Sequence, residues 1–147
     1  MSRMPASLQT SVKPISIVIL DDDRAILDSL SHCLSEMGYE IVPFDENELL
    51  FEFFKRHNAD ILILDILADA SQNGLNVLEE LEQKYGANIP KILISSGLPY
   101  KNYINHPALK KAPFVHFLQK PYNIEQFVDA VNTLTKEKSP KHQSLLG

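Results

Sequence analysis

Hydrophobic positions along the chain gather into five short runs: ISIVIL at 15–20, YEIVPF at 39–44, DILIL at 60–64, KILIS at 91–95 and FVHFL at 114–118. Runs of this length, rich in β-branched and aliphatic residues, predict five strands. The first is apolar on both faces, as in a parallel strand covered on each side. Between the runs the period lengthens to that of a helix. Ala25, Ile26, Leu27, Leu30, Leu34 and Met37 fall on one helical face, and Gly38 follows as a stop. Asp45 with Glu48 predicts a capping box opening the helix ENELLFEFFKRH. LNVLEELEQKYG gives a third helix closed by Gly86, and NIEQFVDAVNTLTKE a last one, with Asn123 as N-cap and Gln126 three residues on. Pro99, Pro107 and Pro113 limit residues 98–113 to a short, distorted helix.

Strands alternating with helices predict an α/β fold, a three-layer doubly wound domain around a five-stranded parallel sheet. The 147 residues suffice for one domain with a real core. The expected organisation is a flexible leader over 1–14, a domain over 15–136 and a polar tail over 137–147, in which no output domain fits. In such sheets ligands bind beyond the carboxyl ends of the strands, so the residues ending each run become the candidates for chemistry.

Charge narrows the partners. The formal net charge is −5 and Lys and Arg form no stripe, which argues against nucleic acid. No stretch has the length of a signal peptide core or a membrane span, so no membrane partner and a cytoplasmic location are expected. The single cysteine, Cys33, lies among apolar helical positions and is expected to be a buried small hydrophobe.

At the strand ends stand Asp21, Asp22 and Asp23, then Asp65, then Ser95 and Ser96, then Lys120 before Pro121. Each alone has an ordinary explanation. Asp22 or Asp23 serves as a helix cap, Asp65 as a turn residue, Ser95 as a small strand-end residue. Together they place several carboxylates against one ammonium. Two unit charges about 4 Å apart repel by roughly 4 kcal/mol at an effective dielectric near 20, so a further cation is required. Hard oxygen donors in this number suit Mg²⁺, which takes one or two carboxylates and keeps several waters.

The motifs ILDDDR, ILILD, ILISSG and FLQKP, in this order and spacing over residues 15–136, resemble the receiver domain of bacterial two-component response regulators, in a single-domain form like the chemotaxis regulators. The resemblance implies a flavodoxin-like sheet of order 2-1-3-4-5. It implies Asp65 as phosphoacceptor and Asp21 and Asp22 as the acidic pair for Mg²⁺, joined by Asp65 and the backbone carbonyl of Leu67. Asp23 then becomes a cap. Ser95 matches the switch hydroxyl, Lys120 the lysine contacting the phosphoryl group, Phe117 the aromatic switch position, and Lys120–Pro121 a cis peptide. The implied partners are a histidine kinase or phosphotransfer protein and a downstream protein target, and a homodimer is compatible with the family.

The chain departs from the pattern between Asp65 and Gly74, where ILADASQNG is one residue longer than usual for the family and lacks the proline common four positions after the acceptor. Asp69, in that loop, is expected to point outward, and Leu67 to limit access for an attacking water. His106 and His116 lack ligand spacing and are expected to be ordinary surface or strand histidines. Ser96 competes with Ser95 for the switch position, and strand alternation favours Ser95. Two alternatives remain. One is a binding module of the same fold that is not phosphorylated. The other is a haloacid-dehalogenase-type phosphatase with Asp21 as nucleophile and Asp23 as acid/base.

Overall fold

The computed structural model describes residues 13–66 and 74–137. Five strands, β1 (Ser16–Leu20), β2 (Glu40–Phe44), β3 (Ile61–Ile66), β4 (Lys91–Ser96) and β5 (Val115–Gln119), form one sheet. Its order is β2-β1-β3-β4-β5 and every pairing is parallel, as the alternation of strands and helices requires. Five helices accompany them: α1 (Arg24–Glu36), α2 (Asn47–Arg56), α3 (Gly74–Tyr85), α4 (Pro107–Lys111) and α5 (Ile124–Lys136).

Strand alternation splits the core in two. Val18, Leu62, Leu64, Ile92 and Ile94 face one layer with Leu50 and Phe54 of α2, Leu78 and Leu81 of α3, and Leu109 of α4. Ile17, Ile19, Ile61, Ile63 and Leu93 face the other, against Leu30 and Leu34 of α1 and Phe127, Val131 and Leu134 of α5. Most of these side chains are wholly buried, and each fully buried aliphatic side chain contributes about 1.5–3 kcal/mol. The three-layer expectation therefore holds.

Local signals explain most element ends. Asp23 caps α1, its side chain accepting from the amides of Ala25 and Ile26, and Gly38 past the helix end has φ +95°. Asn123 and Gln126 form a reciprocal capping box on α5, and Gly86 past α3 has φ +60°. Residues 98–113 hold a single 3₁₀ turn, Tyr100–Asn102, and the five-residue α4.

Three expectations need correction. Asp45 caps nothing: α2 begins after Glu46, which makes no capping bond, and Asp45 instead takes Arg24 of α1 at 3.0 Å. A partner 21 positions away outcompeted the local cap. Cys33 is half-buried rather than buried, being at the margin of the α1 face. His106 is no ordinary histidine, since its Nδ1 accepts from the Ala108 amide at 3.1 Å and caps α4. Asp69 and Leu67 lie outside the described residues.

Candidate functional site at the carboxyl edge of the sheet

β3 and β4 stay paired further than their aliphatic runs suggest, with Asp65 opposite Ser95 and Ile66 opposite Ser96. Asp65 is thus held within a central strand, its backbone fixed by ladder bonds. β1 ends one residue before Asp21. The Asp21 amide donates to the Phe44 carbonyl at 3.1 Å, and Asp21 Oδ1 accepts from the Asp23 amide at 2.9 Å. The turn into α1 consequently fixes Asp21 inward, 7% exposed, and leaves Asp22 exposed at the rim.

Carboxylate oxygens of Asp21, Asp22 and Asp65 lie within 4.8 Å of one another. From beyond β5, Lys120 reaches Asp65, its Nζ 2.8 Å from Oδ1. The lysine is placed by a backbone bond from its amide to the Ser96 carbonyl at 2.7 Å and by a cis bond to Pro121. The next residue, Tyr122, stacks on Phe127 of α5 at 5.8 Å.

The electrostatics follow from crowding. Burial holds the Asp21 carboxyl above its ordinary range; the Asp23 amide draws it down, while the charges of Asp65 and Asp22 push it up and that of Lys120 opposes them. Burial draws the Lys120 ammonium down, but its hydrogen bond to Asp65 and the charges of Asp65 and Asp21 outweigh this and leave it raised. One ammonium does not balance three carboxylates.

Beside them is a cavity of about 30 Å³, lined by Leu20, Asp21, Asp22, Asp45, Asn47, Asp65 and Gly74. That is room for about one water-sized occupant among polar partners. Its floor depends on Gly74, where a Cβ would stand 2.6 Å from the Asp65 carbonyl oxygen. Excess negative charge, oxygen donors and this size all fit Mg²⁺.

The two serines divide. Ser96 is fully buried, its Oγ accepts from the Leu98 amide at 2.9 Å, and it interacts with the Tyr103 hydroxyl. Ser95, 5% exposed, makes no well-formed hydrogen bond through Oγ, although the Tyr122 hydroxyl is near enough to interact with it. Ser95 is therefore the available hydroxyl beside Asp65. Phe117 is half-buried on β5, its ring 6.0 Å from that of Tyr103.

Asp21, Asp22, Asp65, Ser95 and Lys120 are thus brought to one edge, while the carbonyl of Leu67 falls outside the described residues. The sequence did not single out Asp45 and Asn47 in the cavity wall, Gly74 beneath it, or Tyr103 against Phe117. Only Gly74, a glycine at a helix start after a strand, carried any signal, and a weak one.

A fold of this order with acidic residues and a lysine at its carboxyl edge defines a class of signalling domain. Residues 17–132 match the response regulator receiver domain, and the chain belongs to that family, the phosphoacceptor class of two-component signalling. Response regulator protein TodT of Pseudomonas putida is 32% identical over 124 residues, covering 82% of this chain and 51% of TodT. The chain spans about half the length of that relative. Among solved structures, response regulator TrrA of Thermotoga maritima, in complex with Mg²⁺-BeF, is 28% identical with a TM-score of 0.65, covering 82% of this chain and 98% of TrrA. Chemotaxis response regulator CheY4 of Vibrio cholerae shares the fold, with a TM-score of 0.71 at 18% identity over 83% of this chain and 99% of that one. These likenesses favour neither the phosphatase nor the unphosphorylated module. Among the described residues no helix is long and apolar enough to cross a membrane.

Proposed function

We propose that Asp65 accepts a phosphoryl group from a phosphohistidine of a histidine kinase or phosphotransfer protein, and that Mg²⁺ is required. The observation carrying this reading is the convergence of Lys120 and the Asp21 and Asp22 carboxylates on Asp65. A carboxylate oxygen of Asp65 forms the new O–P bond as the P–N bond of the donor breaks, the electron pair leaving on the imidazole nitrogen. Nucleophile and donor are both negative, so most of the task is positioning and charge neutralisation. Asp21, Asp22 and Asp65 would hold Mg²⁺, which supplies charge neutralisation for the incoming phosphoryl oxygens. TrrA, a relative solved with Mg²⁺-BeF, supports this cation. Lys120 then turns from the Asp65 carboxylate to a phosphoryl oxygen, and the Ser95 hydroxyl donates to another.

Ser95 drawn toward the phosphoryl group leaves space on the β4–β5 side, into which Phe117 turns. Two arrangements of Ser95 and Phe117 form the two-state element through which the charge at Asp65 is read by a downstream protein. The net charge of −5 favours protein over nucleic acid as that target. A cytoplasmic location goes with this reading.

Intact-protein mass spectrometry after incubation with acetyl phosphate tests it. One added phosphoryl group is expected with Mg²⁺, none with excess chelator and none in Asp65→Asn. Labelling of Asp65→Asn to the wild-type extent would remove Asp65 from the role.

A further inference from the structure

Resting on the Mg²⁺ site just described, the geometry points to a second pair of residues that governs it. Four carboxylates line the 30 Å³ cavity: Asp21, Asp22, Asp65 and Asp45. The first three converge within 4.8 Å, and Asp45 stands apart from that group, entering the wall from the turn between β2 and α2. Among the described residues two cations are seated on these carboxylates, Lys120 on Asp65 and Arg24 on Asp45. They differ in kind. Lys120 lies within the site, whereas Arg24 is no part of the cavity wall and its side chain is 79% exposed.

An exposed ion pair is weak, contributing about 0–1 kcal/mol, so its purpose is poorly explained by stability. Its position is informative. Bound to Arg24 at 3.0 Å, Asp45 has one carboxylate oxygen engaged by a partner on α1 and its side chain held in that pairing. Released, the same carboxylate regains a free oxygen and its side-chain rotations beside the other three. Arg24 itself, projecting into solvent, is screened over roughly 8–10 Å at ordinary salt and acts weakly on the cavity directly.

We propose that Arg24 is a positioning residue which, by pairing with Asp45, sets how much of the Asp45 charge the cavity presents, and so limits divalent-cation affinity. The pair restrains the site, and it acts through Asp45.

A double-mutant cycle on the full chain tests this, read as the Mg²⁺ dissociation constant by isothermal titration calorimetry. Arg24→Ala should tighten binding by about threefold and Asp45→Asn weaken it by about threefold, coupling of a size that contacting residues commonly show. In the Asp45→Asn background Arg24→Ala should change nothing, whereas with Asp45 intact Arg24→Lys, which keeps a cation for the pair, should bind Mg²⁺ close to the wild-type affinity. Equal tightening by Arg24→Ala in both backgrounds would mean that Arg24 acts through its general field, and no tightening in either would mean that it does not act at all; both overturn the inference while leaving the Mg²⁺ site intact. A wild-type chain that takes up no Mg²⁺ overturns the site itself and this inference with it. Far-UV circular dichroism of each variant separates these outcomes from misfolding.

Discussion

Lys120 meets Asp65 across an intervening strand. Asp65 is on β3 and Lys120 follows β5, with β4 and its Ser95 between them, yet Nζ and Oδ1 are 2.8 Å apart. A phosphoryl group on Asp65 would therefore have the lysine at hand from beyond β5 and the serine opposite it on β4. Replacing the ammonium with an apolar side chain of similar length isolates its contribution. Lys120→Met should slow Mg²⁺-dependent labelling by about a hundredfold, the usual effect of removing one charge-stabilising donor. Time courses by intact mass measure it; a rate within twofold of wild type would show that the ammonium takes no part in the transfer.

Asp21 illustrates a site arranged against stability. Its folded-state proton affinity is raised by burial, so the folded chain binds that proton more tightly than the unfolded chain does. Stability is then greatest at acid pH and declines as pH rises through the folded value, leaving the full cost present at neutrality. Asp21→Asn removes the charge and keeps an oxygen for the Asp23 amide. With chelator present its melting temperature should rise by roughly 3 °C, the shift expected for about 1 kcal/mol in a domain of this size. Its Mg²⁺ affinity should fall. A melting temperature at or below wild type in differential scanning calorimetry would contradict the account.

What the sequence made legible was local or periodic. The alternation of Ile17, Val18 and Ile19 between two layers, the Asp23 and Asn123 caps, and the glycine after α1 all follow from spacing and short-range hydrogen bonding. The carboxyl-edge residues were legible because a parallel sheet carries every strand end to one side, so Asp21, Asp65, Ser95 and Lys120 needed only their strands to be placed. What escaped depends on tertiary approach. Nothing near Asp45 in the chain indicates that Arg24 will claim its carboxylate. Nothing near Gly74 indicates that a Cβ there would press on the Asp65 carbonyl, or near Ser96 that Tyr103 will fold back on it. His106 departs from the usual capping residues, and its capping bond requires a neutral imidazole nitrogen as acceptor.

Tyr103 gives a prediction in pH. Burial raises its hydroxyl above the ordinary tyrosine value, with the interaction at Ser96 drawing it partly back. The folded chain thus keeps this proton to higher pH than the unfolded chain, which ionises near pH 10. The stability it contributes is complete below that pH and is lost as pH climbs through the folded value. Tyr103→Phe cannot ionise there and also lacks the hydroxyl that meets Ser96. At pH 8 it should be less stable than wild type by about 1 kcal/mol, the usual net worth of a hydrogen bond. As pH rises past about 10 the wild type alone suffers the Tyr103 loss, so the two stability curves should converge. Urea unfolding at a series of pH values measures the gap. A gap that stays constant through the alkaline range would mean that Tyr103 ionises alike in both states, against the effect of its burial.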